Sequence, residues 1–248
     1  MHAQEITFYH AVIISFLIFG LVCAFFIILM FRQHRRNIEL YKAKLGAEIT
    51  TLENERQRIA NDLHDDLGPM LSAIKFNIGE IETNAADKQL VTDAEKYLDE
   101  VVHKLRQISN DLMPATLIRK GLTYAIEEFI ARVNTGTQLK IQFSYPEMPP
   151  LPDMVNINLY RVLLEIIHNT LKHAKATTLD IGIRVNKNEI SIITIDNGGG
   201  FLVSGMIRET GGRGLSNIMN RTELIGGEVF IESHAGKGTS YSIIIPYQ

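Results

Sequence analysis

Apolar residues are spread unevenly along the chain, and the densest run lies near the N-terminus. Residues 11–31 contain no charged side chain. A helix rises about 1.5 Å per residue, so a run of this length spans roughly 30 Å, the thickness of a bilayer core. The pattern predicts a transmembrane helix at 11–31 and a short extracytoplasmic N-terminus at 1–10.

The charges on either side of this run indicate its orientation. Arg32, Arg35 and Arg36 follow it, whereas no Lys or Arg precedes it. Because cytoplasmic flanks carry the excess of basic residues, the pattern places the rest of the chain in the cytoplasm. A cleaved signal peptide is the alternative. It fits less well, because the basic N-terminal region is missing and the apolar run is too long.

Between residues 45 and 112, apolar residues recur at spacings of three, four and seven, which is typical of helices with a narrow apolar stripe. A break at 83–87 divides two such helices, and Pro114 ends the second. The pattern predicts a juxtamembrane coiled-coil linker at 32–54 and an antiparallel helical hairpin at 55–113. A lone hairpin leaves its stripes uncovered, so we expect two copies to form a four-helix bundle in a homodimer.

From residue 121 onward the pattern becomes a mixture of helical and alternating segments. The predicted helices are 122–133, 156–175 and 214–225, and the predicted strands are 139–145, 178–185, 189–196, 228–233 and 240–245. The resulting class is α+β, with an α/β sandwich at 121–248 that has helices on one face of a mixed sheet. We expect residues 113–120 to be the hinge between the hairpin and this domain.

Composition narrows the function classes. The chain has 25 Lys and Arg against 28 Asp and Glu, a net charge of −3, which argues against direct nucleic-acid binding. Hydrophobic residues make up 46%, so the chain is not of the disordered class. The single cysteine, Cys23, excludes an intramolecular disulfide and any multi-cysteine metal cluster.

Glycine is concentrated at positions 198–214, which hold seven glycines and run into a predicted helix at Gly214. Helix N-termini bind phosphate through their free N–H groups and the helix dipole. Neither the dinucleotide fingerprint nor the P-loop spacing is present. From glycine content alone, a nucleotide site and a glycine-rich loop without a ligand are equally open.

Polar residues beside the glycines favour the nucleotide site. Asp196 ends an apolar strand just before them, where its carboxylate can accept a hydrogen bond from the adenine amino group; its alternative role is to begin a turn. The predicted helix 156–175 places several polar residues on one face, where an amide can bind Mg²⁺ and Lys or His can face phosphates, although such a face is often merely solvated. These residues are Glu165, Asn169, Lys172 and His173. The hydroxyl of Thr239 follows another glycine turn and can support the base pocket.

His64 is the candidate nucleophile. It lies about 100° from the apolar seam position Leu63, so it faces outward, and its neighbours one turn away are the small residues Ala60 and Gly68. A neutral exposed imidazole is a good nucleophile, and Asp65 is the nearest carboxylate that can fix its tautomer, although it must reach around the helix. The alternative is an ordinary solvated histidine.

Taken together, these motifs resemble those of a bacterial sensor histidine kinase of the nitrate-sensor and DesK-like branch. The matching boxes are ERQRIANDLHDDLG at 55–68 (phosphoacceptor), EIIHNTLKHA at 165–174 (N box), DNGGGF at 196–201 and GRGL at 212–215 (glycine boxes), and GKGT at 236–239. The resemblance covers residues 45–248.

The resemblance implies a gyrase/Hsp90-type domain that binds ATP and Mg²⁺. It makes Asn169 the Mg²⁺ ligand and Asp196 the adenine contact. The ATP-binding residues are then Glu165, Asn169, Lys172, His173, Asp196, Gly198, Gly200, Gly212, Gly214, Leu215 and Thr239.

The resemblance also implies a reaction. His64 would be phosphorylated from ATP, with Asp65 as acid/base and orienting group, and would pass the phosphoryl group to an aspartate of a response regulator with a helix-turn-helix output domain. Pro69 stands where phosphatase-active relatives often carry Gln or His, so we expect weak phosphatase activity.

The expected protein is thus a dimeric kinase, single-pass in the bacterial cytoplasmic membrane, with its C-terminal region in the cytoplasm. A Ser/Thr-directed relative of the same ATP fold and a catalytically silent scaffold that binds ATP and a regulator are the alternatives.

Overall fold

A computed structural model describes residues 2–81, 87–201 and 213–247, which divide into two compact units, 1–48 and 49–248. The helices are α1 (His2–Asp62), α2 (Gly68–Gly79), α3 (Lys88–Leu112), α4 (Ala115–Lys120), α5 (Leu122–Gly136), α6 (Asp153–Asn169) and α7 (Arg213–Leu224). A first π turn, Leu63–Leu67, joins α1 to α2, and a second, Thr170–Ala174, extends α6. The strands are β1 (Lys140–Ser144), β2 (Thr178–Val185), β3 (Glu189–Asp196), β4 (Glu228–Ser233) and β5 (Thr239–Pro246).

The first unit contains the apolar part of α1. Its large apolar side chains from Phe16 to Phe31 are exposed to solvent in the protein alone. By length and composition this helix is able to cross a membrane, and it is the one such helix among the described residues. The predicted transmembrane segment is therefore helical, and its described side chains, from Phe16 to Phe31, are exposed.

The second unit begins with the helical hairpin. Ser109 on α3 donates to the backbone carbonyl of Ala60 at 3.1 Å, and Lys75 on α2 pairs with Asp99 on α3 at 2.5 Å. Position 60 pairs with position 109 and position 75 with position 99, so the two arms of the hairpin run antiparallel. The predicted break at 83–87 lies almost wholly outside the described residues.

The segment expected to be a hinge has a different structure. Residues 113–120 contain the short helix α4 instead of an open linker, and the side chains of Met113 and Leu117 are buried in the core. Pro114, in an extended conformation, ends α3 and precedes α4. The sequence did not indicate α4, because six residues are too few to display a helical period.

The sheet is mixed, as the sequence predicted. Its strand order is β1-β2-β3-β5-β4; β1 and β2 are parallel, and all other neighbours are antiparallel. The bounds of β2, β3 and β4 match the predicted strands. In the β3–β5 register Asp196 lies opposite Thr239, so the end of one strand and the start of the other meet at one edge.

Helices α5, α6 and α7 cover one face of this sheet. Strand β3 shows the alternation clearly: Ile190 and Ile192 are fully buried under the helices, whereas Ile195 on the other face is 52% exposed. This arrangement confirms the α+β class. It also places the end of β3 and the start of β5 beside each other at one edge of the sheet.

The two faces of β3 give a paired stability test. Ile192→Ala removes a fully buried side chain from the core and should lower the free energy of unfolding by about 2–5 kcal/mol. Ile195→Ala on the exposed face should cost less than about 1 kcal/mol. Denaturant unfolding of the purified chain measures both, and equal losses would contradict the assignment of the buried face.

Candidate functional site

A cavity of about 450 Å³ lies where the end of α6, the end of β3 and the start of β5 meet the first turn of α7. This volume is typical of small-molecule sites, which range over roughly 300–1,000 Å³. Its described lining is Glu165, His168, Asn169, Thr170, Lys172, His173, Ala174, Asp196, Gly200, Phe201, Gly214, Leu215, Thr239 and Tyr241.

Asp196 is the buried acid of this cavity, with only 4% of its surface exposed. One carboxylate oxygen, Oδ1, accepts the N–H of Gly198 at 2.8 Å, as an aspartate that begins a turn does. A carboxylate has further lone pairs, so its second oxygen is available to accept a hydrogen bond from a ligand. The two roles left open by the sequence are therefore compatible in one side chain.

Two glycines let the neighbouring loops approach Asp196 closely. A Cβ on Gly238 would lie 2.0 Å from the carbonyl oxygen of Asp196, and a Cβ on Gly200 would lie 2.0 Å from that of His234. Both glycines also have positive φ angles, 80° and 61° respectively. Any side chain at these positions would push the loops apart and open the wall of the cavity.

Gly214, in the first turn of α7, makes a third close approach. A Cβ there would lie 2.3 Å from Oε1 of Glu165 and 3.4 Å from the amide nitrogen of Asn169. The N-terminal end of α7, with its unpaired N–H groups and positive dipole end, is thereby brought against the polar face of α6. This geometry suits the binding of an anionic group such as a phosphate.

A hydroxyl pair supports the wall formed by β4 and β5. The Ser233 hydroxyl oxygen lies 3.0 Å from that of Thr239, donates to the carbonyl of Gly238 at 3.1 Å, and accepts the N–H of Phe201 at 2.9 Å. Thr239 was predicted to support the base pocket, and it lines the cavity from this position. The part of Ser233 was missed, because a serine at a strand end carries no distinctive sequence signal.

Two titratable groups in the lining keep their ordinary, uncharged forms. Burial, and then the positive charge of Lys172, lower the pKa of His168, whose ring packs edge-on against Phe129 at 5.7 Å between centroids. Burial, and then the charges of Asp196 and Glu165, raise the pKa of Tyr241 to about 12. Tyr241 thus remains a hydroxyl donor at neutral pH, and His168 is a neutral imidazole.

The second π turn positions the basic residues of the N box. Lys172 and His173 lie within it, and Lys175, with a left-handed φ of 51°, ends it. A π turn widens the helix and is frequent at functional sites. The sequence predicted an unbroken α-helix to Lys175, because the apolar pattern does not distinguish one π turn from the α-helix around it.

Most of the predicted ligand-binding residues come together here. Nine of the eleven line the cavity: Glu165, Asn169, Lys172, His173, Asp196, Gly200, Gly214, Leu215 and Thr239. Gly198 supports Asp196 from outside the lining, and Gly212 lies outside the described residues. The lining residues that the sequence did not single out are His168, Thr170, Ala174, Phe201 and Tyr241.

The donor set fits a magnesium–nucleotide ligand. Among the described residues no group of three or more His, Cys, Asp and Glu side chains could hold a metal by itself. Mg²⁺, however, typically keeps several waters and takes one or two protein oxygens together with phosphate oxygens. Asn169, beside Gly214 and the start of α7, would supply such an oxygen.

His64 lies in the first π turn and is 70% exposed. Its Nδ1 lies 2.9 Å from Oδ1 of Asp65, so the adjacent carboxylate does reach the ring. An ionised carboxylate can only accept, so Nδ1 carries the proton in the neutral ring and Nε2 keeps its lone pair. The ring nitrogen with a free lone pair is therefore the one directed away from Asp65.

Comparisons with known proteins give two family matches. Residues 55–117 match a family described as histidine kinase, and residues 154–248 match the histidine kinase-, DNA gyrase B- and HSP90-like ATPase. The sensor histidine kinase MctS of Rhizobium johnstonii is 30% identical over 228 residues, which are 88% of this chain and 49% of that protein. The chain thus spans about half the length of this relative.

Solved structures give more distant matches. A histidine kinase domain from the Erythrobacter litoralis EL346 blue-light activated histidine kinase has 14% identity and a TM-score of 0.47, covering 72% of this chain and 95% of that one. The mycobacterial sensor histidine kinase MprB has 15% identity and a TM-score of 0.40, covering 49% of this chain and 88% of that one.

The environment of Asp196 predicts the effect of a minimal substitution. Asp196→Asn replaces one of the two acceptor oxygens with an NH₂ donor. If the remaining oxygen accepts the Gly198 N–H, the NH₂ faces the ligand and the bond to adenine is lost. If the amide is flipped, the NH₂ faces the Gly198 N–H and that bond is lost. Either orientation loses a bond worth about 1.5–3 kcal/mol, so affinity for an adenine nucleotide should fall at least about tenfold.

Calorimetric titration of the nucleotide measures this change. Asp180→Asn, an exposed aspartate on β2 outside the cavity, is the matched control and should bind as the wild type does. An Asp196→Asn protein that binds adenine nucleotides with undiminished affinity would contradict the assignment of Asp196.

Proposed function

This chain belongs to the histidine kinase family, and we propose that it transfers the γ-phosphoryl group of ATP to its own His64. The observation that carries the proposal is the pair formed by His64 and Asp65. An exposed imidazole whose Nδ1–H donates to a carboxylate has a free Nε2 lone pair, and the same chain provides a cavity suited to a nucleotide.

The proposed step balances as follows. Nε2 of His64 forms a bond to the γ-phosphorus while the bond from that phosphorus to the β–γ bridging oxygen breaks, and ADP leaves. The ring becomes positively charged, and Asp65 stabilises this charge and accepts the Nδ1 proton as the neutral phosphohistidine forms. Asp65 is thus both the orienting group and the base.

The cavity residues account for the choice of nucleotide. The free oxygen of Asp196 accepts the amino group of adenine, whereas guanine places a carbonyl oxygen there and is repelled. Gly214 and Leu215 bring the N-terminal end of α7 to the phosphates, and Lys172 faces them from the second π turn. Asn169 would hold Mg²⁺, which when bound offsets negative charge on the triphosphate.

We propose that the phosphoryl group then passes from His64 to an aspartate of a response regulator with a helix-turn-helix output domain. The exposure of His64 supports this step, because a second protein must reach the phosphorylated ring. Weak phosphatase activity stays a prediction. Its support is that Pro69, in the first turn of α2, has no hydrogen-bond donor with which to position water.

We further propose a single-pass anchor in the bacterial cytoplasmic membrane, with residues 32–248 in the cytoplasm. The exposed apolar side chains of α1 and the arginines that follow residue 31 support this location. Such a helix buries its apolar surface in lipid.

The central test is phosphorylation by γ-labelled ATP. The wild type should acquire an acid-labile, base-stable label that His64→Ala abolishes, and Asp65→Asn should slow labelling by about tenfold or more, since it removes the base. His103, a second histidine of the hairpin, gives the matched control: His103→Ala should label normally.

Other results identify the alternatives. An acid-stable label would indicate a Ser/Thr-directed enzyme, and nucleotide binding without any label would indicate a silent scaffold.

The hairpin predicts a homodimer, because its apolar seam is uncovered in one protomer. Leu67, Ile74, Val101 and Ile108 are all more than two-fifths exposed. Exposed apolar surface of this extent on two adjacent helices is typical of a bundle interface. Sedimentation of the detergent-solubilised chain should give a dimer that Ile74→Glu dissociates, and a wild-type monomer at micromolar concentration would refute the four-helix bundle.

A further inference from the structure

We propose that Glu53 is a latch that holds the ATP-binding lobe on α1 in a resting arrangement, and that this latch must open before His64 can be phosphorylated. By lobe we mean residues 121–247 as far as they are described. The inference rests on the proposed kinase function and concerns its control.

Glu53 is a buried acid in the largely polar C-terminal part of α1. Only 3% of its surface is accessible. Its Oε2 accepts a hydrogen bond from Nε of Arg161 on α6 at 3.0 Å. Its Oε1 accepts one from Nη2 of Arg221 on α7 at 2.7 Å. Arg56, one turn along α1, donates to the same Oε1 at 3.0 Å. One carboxylate thus joins α1 to two different helices of the lobe.

The two lobe arginines have further partners that fix their direction. Arg221 also donates to Oδ1 of Asn158, which is itself fully buried, and Arg161 also donates to the carbonyl oxygen of Leu112 at the end of α3. Arg221 is therefore held between Glu53 and α6, and Arg161 between Glu53 and the end of α3.

The carboxylate of Glu53 offsets part of the positive charge at this contact. Three guanidinium groups, those of Arg56, Arg161 and Arg221, share one carboxylate. Burial lowers the pKa of Arg161, the charge of Glu53 raises it, and the repulsion from Arg56 and Arg221 lowers it again. If Glu53 lost its charge, the arginines would be both buried and mutually repelled, and separation of the lobe from α1 would return them to water.

The docked arrangement does not bring the nucleotide cavity to the phosphoacceptor of the same protomer. Glu53 precedes His64 by 64 − 53 = 11 residues, which is roughly 16 Å along the helix. Every described lining residue of the cavity lies between Glu165 and Tyr241, none of them in the hairpin, and the His64 ring remains largely exposed. Transfer within one protomer therefore requires the lobe to leave this contact.

A neighbouring acid provides a matched control. Glu48 lies five residues earlier on α1 and is exposed, and it pairs with Lys44 of the same helix at 4.0 Å. Glu48→Gln and Glu53→Gln are chemically identical substitutions. Only the second removes charge from the contact between α1 and the lobe.

The experiment compares the full chain in lipid nanodiscs with its Glu53→Gln and Glu48→Gln variants. Glu53→Gln should raise the initial rate of His64 labelling from γ-labelled ATP at least threefold without changing ATP affinity, and Glu48→Gln should match the wild type. Phenylglyoxal, which modifies accessible arginines, should react several times faster with Arg161 and Arg221 in Glu53→Gln, as read by mass spectrometry.

The two measurements separate the possible failures. A wild type that binds ATP but is never labelled defeats the kinase proposal, while arginine modification still tests whether Glu53 holds the lobe. If the arginines of Glu53→Gln are modified faster but His64 is labelled no faster than in the wild type, the contact is not inhibitory and the latch is refuted. Unchanged modification of the arginines also refutes it. If Glu53→Gln does not fold, Arg161→Lys is the substitute, because it keeps the charge but loses the planar fork. It should raise both the labelling rate of His64 and the rate at which phenylglyoxal modifies Arg221.

Discussion

The nucleotide cavity depends on two close approaches between backbone segments and on a third between the side chain of Glu165 and the backbone. The carbonyl of Asp196 nearly contacts Gly238, the carbonyl of His234 nearly contacts Gly200, and the carboxylate of Glu165 approaches the first turn of α7 at Gly214. A methyl group at any of these positions would overlap an oxygen atom at 2.0–2.3 Å. The glycines therefore act by absence of a side chain, and they let a carboxylate, a helix N-terminus and a glycine turn meet around one volume.

Sequence reasoning succeeded where one residue pattern determines one structure. The short apolar runs of β2, β3 and β4, each bounded by polar or glycine residues, indicated their bounds, and the motif around Asp196 indicated the buried acid of the cavity. It did not give Ser233, Tyr241 or His168, because their places in the site arise from strand register and helix packing between distant segments. Helix α4 was missed for a related reason: its anchor, Leu117, is recognisable only once the core is known.

The two π turns were also not predicted from the sequence, and both hold candidate site residues. One holds His64 and Asp65, and the other holds Lys172 and His173. In a regular α-helix, adjacent residues diverge by about 100°, so a histidine and the next aspartate do not share a face. The observed bond from Nδ1 to the Asp65 carboxylate occurs within the first π turn, where this regular spacing is altered. A local irregularity of the backbone thus accompanies the pairing that the chemistry needs.

Helix α6 connects the latch to the nucleotide cavity. Arg161, Glu165 and Asn169 follow one another at intervals of four residues, so they lie along one face of the helix. The first binds Glu53, and the other two line the cavity, while His168 lines both this cavity and a smaller one of about 200 Å³ beside Arg161 and Arg221.

This placement gives the buried ion pairs a role that stability alone does not. Buried ion pairs add little net stability, because desolvation offsets the attraction, but losing one partner is costly. A contact of that kind suits a two-state switch better than a permanent joint. Because Arg161 lies in the middle of α6 and Asn169 at its C-terminal end, a shift of the whole helix moves both residues. Release of α1 and occupancy of the cavity are therefore expected to be coupled through this helix.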